Sequence, residues 1–307
     1  MFSQLISHFI TYYLIPLTFL WFLGWGRFKS RQDWMVTAFM VSAYMVHIFI
    51  TGRWDWVWYP FRWVWMGAWV AVLGIGFWRI RALPSRLPLS PQRKFLYGLQ
   101  GFISFFLLIF LYLGIKGQFY TGAGLHLQFP LRQGTFYVAQ GGNSAIINYH
   151  HLAEPAAYAL DINRLGPPYR RAESIMPNRL EQFYIEDDSV FSPCDGVVFQ
   201  AEIHAPDMPL GEVDTARFVG NFVGIRTAEG YNVVLAHFKK NSVVVTVGDT
   251  VKTGQFLGRV GHSGVVDEPM LHIHAEISDS LKILTGQGVA IFFEEGRFLT
   301  RNSIIKR

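Results

Sequence analysis

At 307 residues, 51% hydrophobic and only 16% charged, the chain is long enough for two domains and apolar enough to raise the question of a membrane. Its net charge of +5 is uneven: residues 1–117 hold eleven Lys/Arg against two Asp/Glu, net +9, whereas residues 118–307 hold sixteen against twenty, net −4. The basic residues therefore lie between apolar runs and form no patch on a polar fold, which argues against nucleic acid as a partner, and the single cysteine, Cys194, excludes a disulfide framework or a cysteine-based zinc site within one chain.

Four segments are long and apolar enough to cross a bilayer, roughly Leu5 to Trp25, Trp34 to Ile50, Trp63 to Ile80 and Leu96 to Ile115. All ten tryptophans lie between Trp21 and Trp78, and those in GRWDWVWYPFRWVW suit an interfacial aromatic belt. Arg27, Lys29 and Arg31 lie between the first and second segments, and Arg79, Arg81, Arg86, Arg93 and Lys94 between the third and fourth. Basic loops stay in the cytoplasm, so both termini are expected outside it. The first segment lacks a basic n-region and three more follow, so it reads as an uncleaved anchor in the lipid bilayer.

From Gln118 the period changes. Short β-branched runs recur between Gly-marked turns: GTFYVAQ, SAIINYH, YALDI, GVVFQAEI, FVGIRT, YNVVLAHF, SVVVTV, FLGRVG and MLHIHAEI. No helical period is long enough for βαβ units, so an all-β sandwich or barrel is expected. The domains are thus a membrane domain over 1–117 and a β-rich extracytoplasmic domain over 118–307, with Asn163 to Asp188 as a surface excursion between strands.

In MLHIHAEI, His272 and His274 share one strand face, while Leu271, Ile273 and Ala275 share the other. His237 closes a second strand in VVLAHF. Asp161 sits in the apolar run YALDI, where a carboxylate is costly unless paired or metal-bound. Taken singly, a strand histidine is usually only hydrogen-bonded, and Asp161 alone reads as a structural carboxylate. Together, three imidazoles and a carboxylate supply the N/O ligands and the open position that a catalytic zinc site uses.

The segments NVVLAHF, VTVGDTVKTGQFLGRVGHSG and LHIHAEI, with YALDI and SPCDGVV upstream, closely resemble the lysostaphin-type zinc metallopeptidases, endopeptidases that cut the peptide part of bacterial peptidoglycan. The resemblance covers about residues 148 to 278 and none of the membrane segments. It implies an antiparallel β-sheet groove, one Zn2+ bound by Asp161 and His274, and His237 with His272 as the catalytic pair beside the metal. It also implies peptidoglycan peptides as substrate, at the outer face of a bacterial cytoplasmic membrane.

One position departs from the pattern. The family usually has a histidine four residues before the Asp as the remaining ligand, and here that residue is Ala157. His150 and His151, in INYHHLAEPAAYALDI, are the candidates to fill the vacancy. His150 is favoured, because Asn148 and His150 would share a strand face opposite Ile147. If neither reaches the metal, the domain becomes a degenerate binder of cell wall or a regulator of a partner hydrolase. His262 in GHSG reads as a turn residue on the groove wall. VGDTVKTGQ also resembles the hairpins of biotinyl and lipoyl carriers, but Lys252 reads as a strand-flanking residue and not as a prosthetic-group tip.

Overall fold

The structure, a computed structural model, describes residues 2–307. It divides into two compact units: one holds the residues up to Gly52 together with Pro60–Ile115, and the other Arg53–Tyr59 together with Lys116–Arg307.

The first unit consists of four helices long and apolar enough to cross a membrane, Ser3–Trp25, Arg31–Thr51, Phe61–Ala82 and Pro91–Lys116. In the first of them the chain takes a π turn over Ile10–Leu14, just ahead of Pro16, whose ring would clash with a carbonyl of a regular α-helix. The second starts at Ser30, whose hydroxyl accepts the Asp33 N–H at 3.2 Å. Gly76 has no side chain because the Trp34 indole occupies that space: a Cβ there would lie 2.6 Å from its Nε1. That nitrogen donates to the Leu23 carbonyl at 3.0 Å, which joins the first three helices.

The second unit is built on an antiparallel nine-stranded sheet. In chain order its strands are β1 (Thr135–Gln140), β2 (Leu160–Leu165), β3 (Gly196–Glu202), β4 (Asn221–Arg226), β5 (Tyr231–Phe238), β6 (Thr250–Val251), β7 (Leu271–Ile277), β8 (Gln287–Val289) and β9 (Ile304–Lys306). In space they run β9-β1-β2-β7-β5-β4-β3-β6, with β8 paired to the far end of β7. The path does not return on itself, so the sheet is open and not a barrel. Two small sheets, one of Leu125–His126, Ile291–Phe293 and Arg297–Phe298 and one of Ser189–Phe191 with Phe256–Arg259, contribute to the core on one side of it. A sandwich of two equal sheets is therefore not what forms.

Period-two alternation decides which face is which. Leu160 and Ile162, Val223 and Ile225, Val233 and Leu235, and Leu271 and Ile273 all enter one large core cluster. The opposite face carries Asp161, Asn163, Val234, Ala236, His272 and His274, and it is this face that builds the site.

Two expected strands do not form. SAIINYH becomes a turn followed by a 3-10 turn, Tyr149–Leu152, because the Asn148 side chain takes over the backbone bonding. Its Nδ2 donates to the carbonyls of Gly142 and Ala159, both at 3.1 Å, and its Oδ1 accepts from the His150 N–H at 3.2 Å. SVVVTV keeps the alternation only as far as Thr246, with Val243 and Val245 buried and Val244 exposed, and loses it at the exposed Val247. It has no strand partner among the described residues, and Val244 N–H to Leu257 O (2.9 Å) is its backbone tie. The excursion begins later than expected, since β2 continues through Leu165.

Candidate metal centre

Strand register brings the site together. In β2 and β7, Asp161 lies directly opposite His272, and on the other side of β7 His272 lies opposite Ala236 and His274 opposite Val234. Asp161, His272 and His274 thus share one face of adjacent strands, buried to 1%, 8% and 2% exposure.

His237 reaches that face by a different device. Strict alternation would send it to the core side with Val233 and Leu235. Between β4 and β5 the register shifts, Phe222 pairing with Ala236 and Asn221 with Phe238, so that His237 is the extra residue of a bulge, with φ +67°. The bulge turns its ring into the groove, 6.0 Å from that of His272 between centroids, while Phe238 returns to the core. The His237 Nδ1–H donates to the Ser263 carbonyl at 2.8 Å, which leaves Nε2 as the nitrogen with a lone pair. Ser263 is held in turn, its hydroxyl donating to Phe238 O at 2.7 Å and accepting from Asn221 N–H at 2.9 Å.

Of the two upstream histidines, His150 faces Asp161: its Nε2 lies 3.0 Å from each carboxylate oxygen. It does so from the 3-10 turn that Asn148 caps, not from a strand. His151 turns away, with Nδ1 3.2 Å from the Ala157 carbonyl. Of the two candidates, His150 is therefore the one that sits beside Asp161.

Asp161 accepts from three donors: His150 Nε2–H, His272 Nδ1–H at 2.9 Å and the Tyr149 hydroxyl at 2.9 Å. Burial alone would raise its carboxyl; the His150 and His272 imidazoles outweigh it and hold the group well below the usual carboxylate range. With His272 Nδ1–H committed to Asp161, its Nε2 accepts from His274 Nδ1–H at 3.0 Å. His274 Nε2 is then buried with no hydrogen-bond partner among the described residues. Burial, helped by the neighbouring His272, lowers His237 to about 4, so it is neutral near pH 7.

Ligand atoms of His150, Asp161 and His272 lie within 4.8 Å of one another, a group able to hold a metal ion. His274 joins it through His272. The donor set, one carboxylate with imidazole nitrogens, suits zinc. An orphaned buried nitrogen beside it is the mark of a polar site completed by something else.

The histidines open into a groove of about 440 Å³ whose walls are mainly apolar, including Phe218, Val266, Met270 and Leu284. Tyr149, half-exposed with its hydroxyl turned toward Asp161, is a site residue that sequence pattern does not single out; its place next to His150 is the one signal that points to it. His262 is not on the wall as expected. It is fully buried, with Nδ1 2.6 Å from the Met208 carbonyl, because that contact ties the 207–209 segment to the turn before Ser263. Cys194, half-buried, packs at the edge of the core.

The site thus sets Asp161, His272 and His274 on one face of an antiparallel sheet, with His150 brought to Asp161 from a 3-10 turn. Residues 182–283 of the chain match peptidase family M23. His237, His272 and His274 fall inside that match; His150 and Asp161 lie upstream of it. No curated protein matches the chain. Among solved structures it is similar to a zinc-containing peptidase from Vibrio cholerae, at 19% identity over 50% of this chain and 37% of that one (TM-score 0.28). It is also similar to lysostaphin in solution, at 25% identity over 34% and 37% (TM-score 0.24). A third is the M23 metalloprotease pseudoalterin from the deep sea, at 15% over 60% and 100% (TM-score 0.34). The chain thus spans little more than a third of the first two.

Proposed function

We propose that this chain is a membrane-anchored zinc metalloendopeptidase that hydrolyses peptide bonds of bacterial peptidoglycan outside the cytoplasm. The observation that carries the reading is the convergence of His150, Asp161, His237, His272 and His274 at one apolar groove. In this reading Asp161 and His274 hold the metal, as the family resemblance implies, with His150 as the remaining ligand, and the orphaned His274 nitrogen supports a ligand role.

Zinc, when bound, supplies a Lewis acid for the scissile carbonyl and lowers the pKa of a water toward 7. The protein's own residues do the rest. His237, fixed by Ser263 in the tautomer with a free Nε2, takes the proton of the attacking water and returns it to the leaving amine. His272, backed by Asp161, stands beside it as the second imidazole. The open sheet and apolar walls suit an extended peptide.

A second ligand set, with His272 in place of His274, is favoured by the close grouping around Asp161. The two are separated by the zinc content of full-length His272→Ala and His274→Ala: the variant that loses the metal identifies the ligand. The function itself is tested by digesting purified peptidoglycan with the zinc-loaded chain. Release of new amino termini, lost in His237→Ala, supports a peptidase. Binding without cleavage would favour the degenerate reading to which Ala157 gives weight.

A further inference from the structure

The seven residues Arg53–Tyr59 join the second and third apolar helices, yet they belong to the β unit. They bring two charges into it. Asp55 is fully buried, and Arg53 donates to it through Nε at 2.9 Å and Nη2 at 2.7 Å. The same Nη2 donates to Glu268 at 2.6 Å, and Arg171, 2% exposed, donates from Nε to the other Glu268 oxygen. Asn163 Nδ2 bridges Asp55 (3.3 Å) and Glu268 (3.2 Å). Two guanidinium groups and two carboxylates thus compensate each other, and Arg171 further takes Asp55 O at its N–H and stacks on Trp56 at 4.1 Å. Burial alone would raise the Asp55 carboxyl; the Arg53 guanidinium outweighs it and holds it below its ordinary value.

The cluster touches the site from behind at two places. Asn163 stands two residues beyond Asp161 on the same face of β2. Glu268 belongs to the segment 265–270, in which Val265, Val266, Asp267 and Met270 line the groove and which runs directly into β7 with His272 and His274. Glu268 of this segment points into the cluster, so the groove wall is anchored by a carboxylate that accepts from Arg171, Asn163 and Arg53, the last a residue from between the apolar helices.

We propose that Arg53 is a positioning residue of the groove: together with Arg171 it holds Glu268, and through Glu268 the 265–270 wall, in the conformation that lines the site. The anchoring stands on the ion-pair geometry alone, whereas its consequence for a substrate rests on the peptidase reading above. Removing Arg53 leaves Asp55 and Glu268 buried with too few donors, and the wall is the element free to move and reach water.

The test uses the full-length chain in detergent, as wild type, Arg53→Ala, Arg53→Lys and Glu268→Gln, measured by hydrogen exchange, zinc content and steady-state cleavage of a peptidoglycan peptide. The expected result for Arg53→Ala is exchange in 265–270 faster by about tenfold or more, with β4 and β5 unchanged and zinc retained. KM should rise about tenfold while kcat stays within about twofold. Arg53→Lys keeps the charge but not the fork, and should fall between the two; Glu268→Gln, nearly isosteric, repeats the effect if Arg53→Ala does not fold. Unchanged exchange in 265–270 overturns the proposal, as does a rise spread equally over β4 and β5, which would mean general destabilisation. A wild type that cleaves nothing would count against the peptidase reading, while the exchange result would still decide the anchoring.

Discussion

At the scale of single residues, the site depends on which nitrogen carries a proton and where each ring points. His150 and His151 are adjacent and chemically identical, but the Asn148-capped turn directs one at Asp161 and the other at a backbone carbonyl. His150→Ala is therefore expected to lower zinc affinity by more than the roughly 10–100-fold that loss of a residue outside the ligand set costs, whereas His151→Ala retains about one zinc per chain; elemental analysis of the two variants decides it. His237 has its Nδ1–H committed to Ser263, and Asp161 takes its hydrogen bonds from His150, His272 and Tyr149. His237→Ala should keep its zinc and lose about 10²–10⁴ in kcat, measured on the same peptide substrate. Retained turnover would remove His237 from the proton-transfer role.

At the scale of elements, the chain segments that approach the sheet carry titratable groups of their own. Glu186, in the turn before the Ser189–Phe191 strand, is pushed up to about 7 chiefly by burial, against which the Lys239 ammonium at 3.4 Å works. A carboxyl whose folded pKa lies above its ordinary value favours folding when protonated. That contribution is fully present below the ordinary value of 4.5 and is lost as the pH rises through about 7. Glu186→Gln should accordingly stabilise the β unit at pH 8, by on the order of 2 kcal/mol, with the advantage shrinking to nothing near pH 4.5. Thermal unfolding of both proteins across that range measures it; a pH-independent difference would show that packing and not charge governs the site. Gly264 illustrates the other constraint on these segments. Its φ is +88°, and an added Cβ would sit 2.5 Å from Gly220 N, so the turn that presents Ser263 to His237 admits only glycine.

At the scale of the whole molecule, the proposed function requires the β unit to lie outside the cytoplasm, as the distribution of Lys and Arg between the four apolar helices predicts. A reporter active only in that compartment, fused after Arg307, should be active, and one that works only in the cytoplasm should be silent. The opposite pattern would reverse the topology and remove peptidoglycan as an accessible substrate. The structure adds that the link between the second and third helices is part of the β unit. A fragment beginning at residue 118 would lack Arg53 and Asp55, and with them half the charges that compensate Arg171 and Glu268.

Much of this was legible in the order of residues, for a local reason. Apolar length reveals a membrane segment and period two assigns strand faces, because both follow from the geometry of one element. His272 and His274 could thus be put on one face, with Asp161 in another apolar strand, from the chain alone. What sequence pattern could not supply depends on partners far away along the chain. His237 reaches the groove only because a bulge between β4 and β5 breaks the alternation that would have buried it. His150 faces Asp161 only because Asn148 commits its side chain to the Gly142 and Ala159 carbonyls outside its own turn, so that an expected strand becomes a capped turn. Arg53 lies between two apolar segments of the sequence, and the carboxylate that claims it lies 215 positions later. In each case the deciding term is the cost of leaving a buried polar group unpaired, and which groups are buried together is decided only when the sheet has formed.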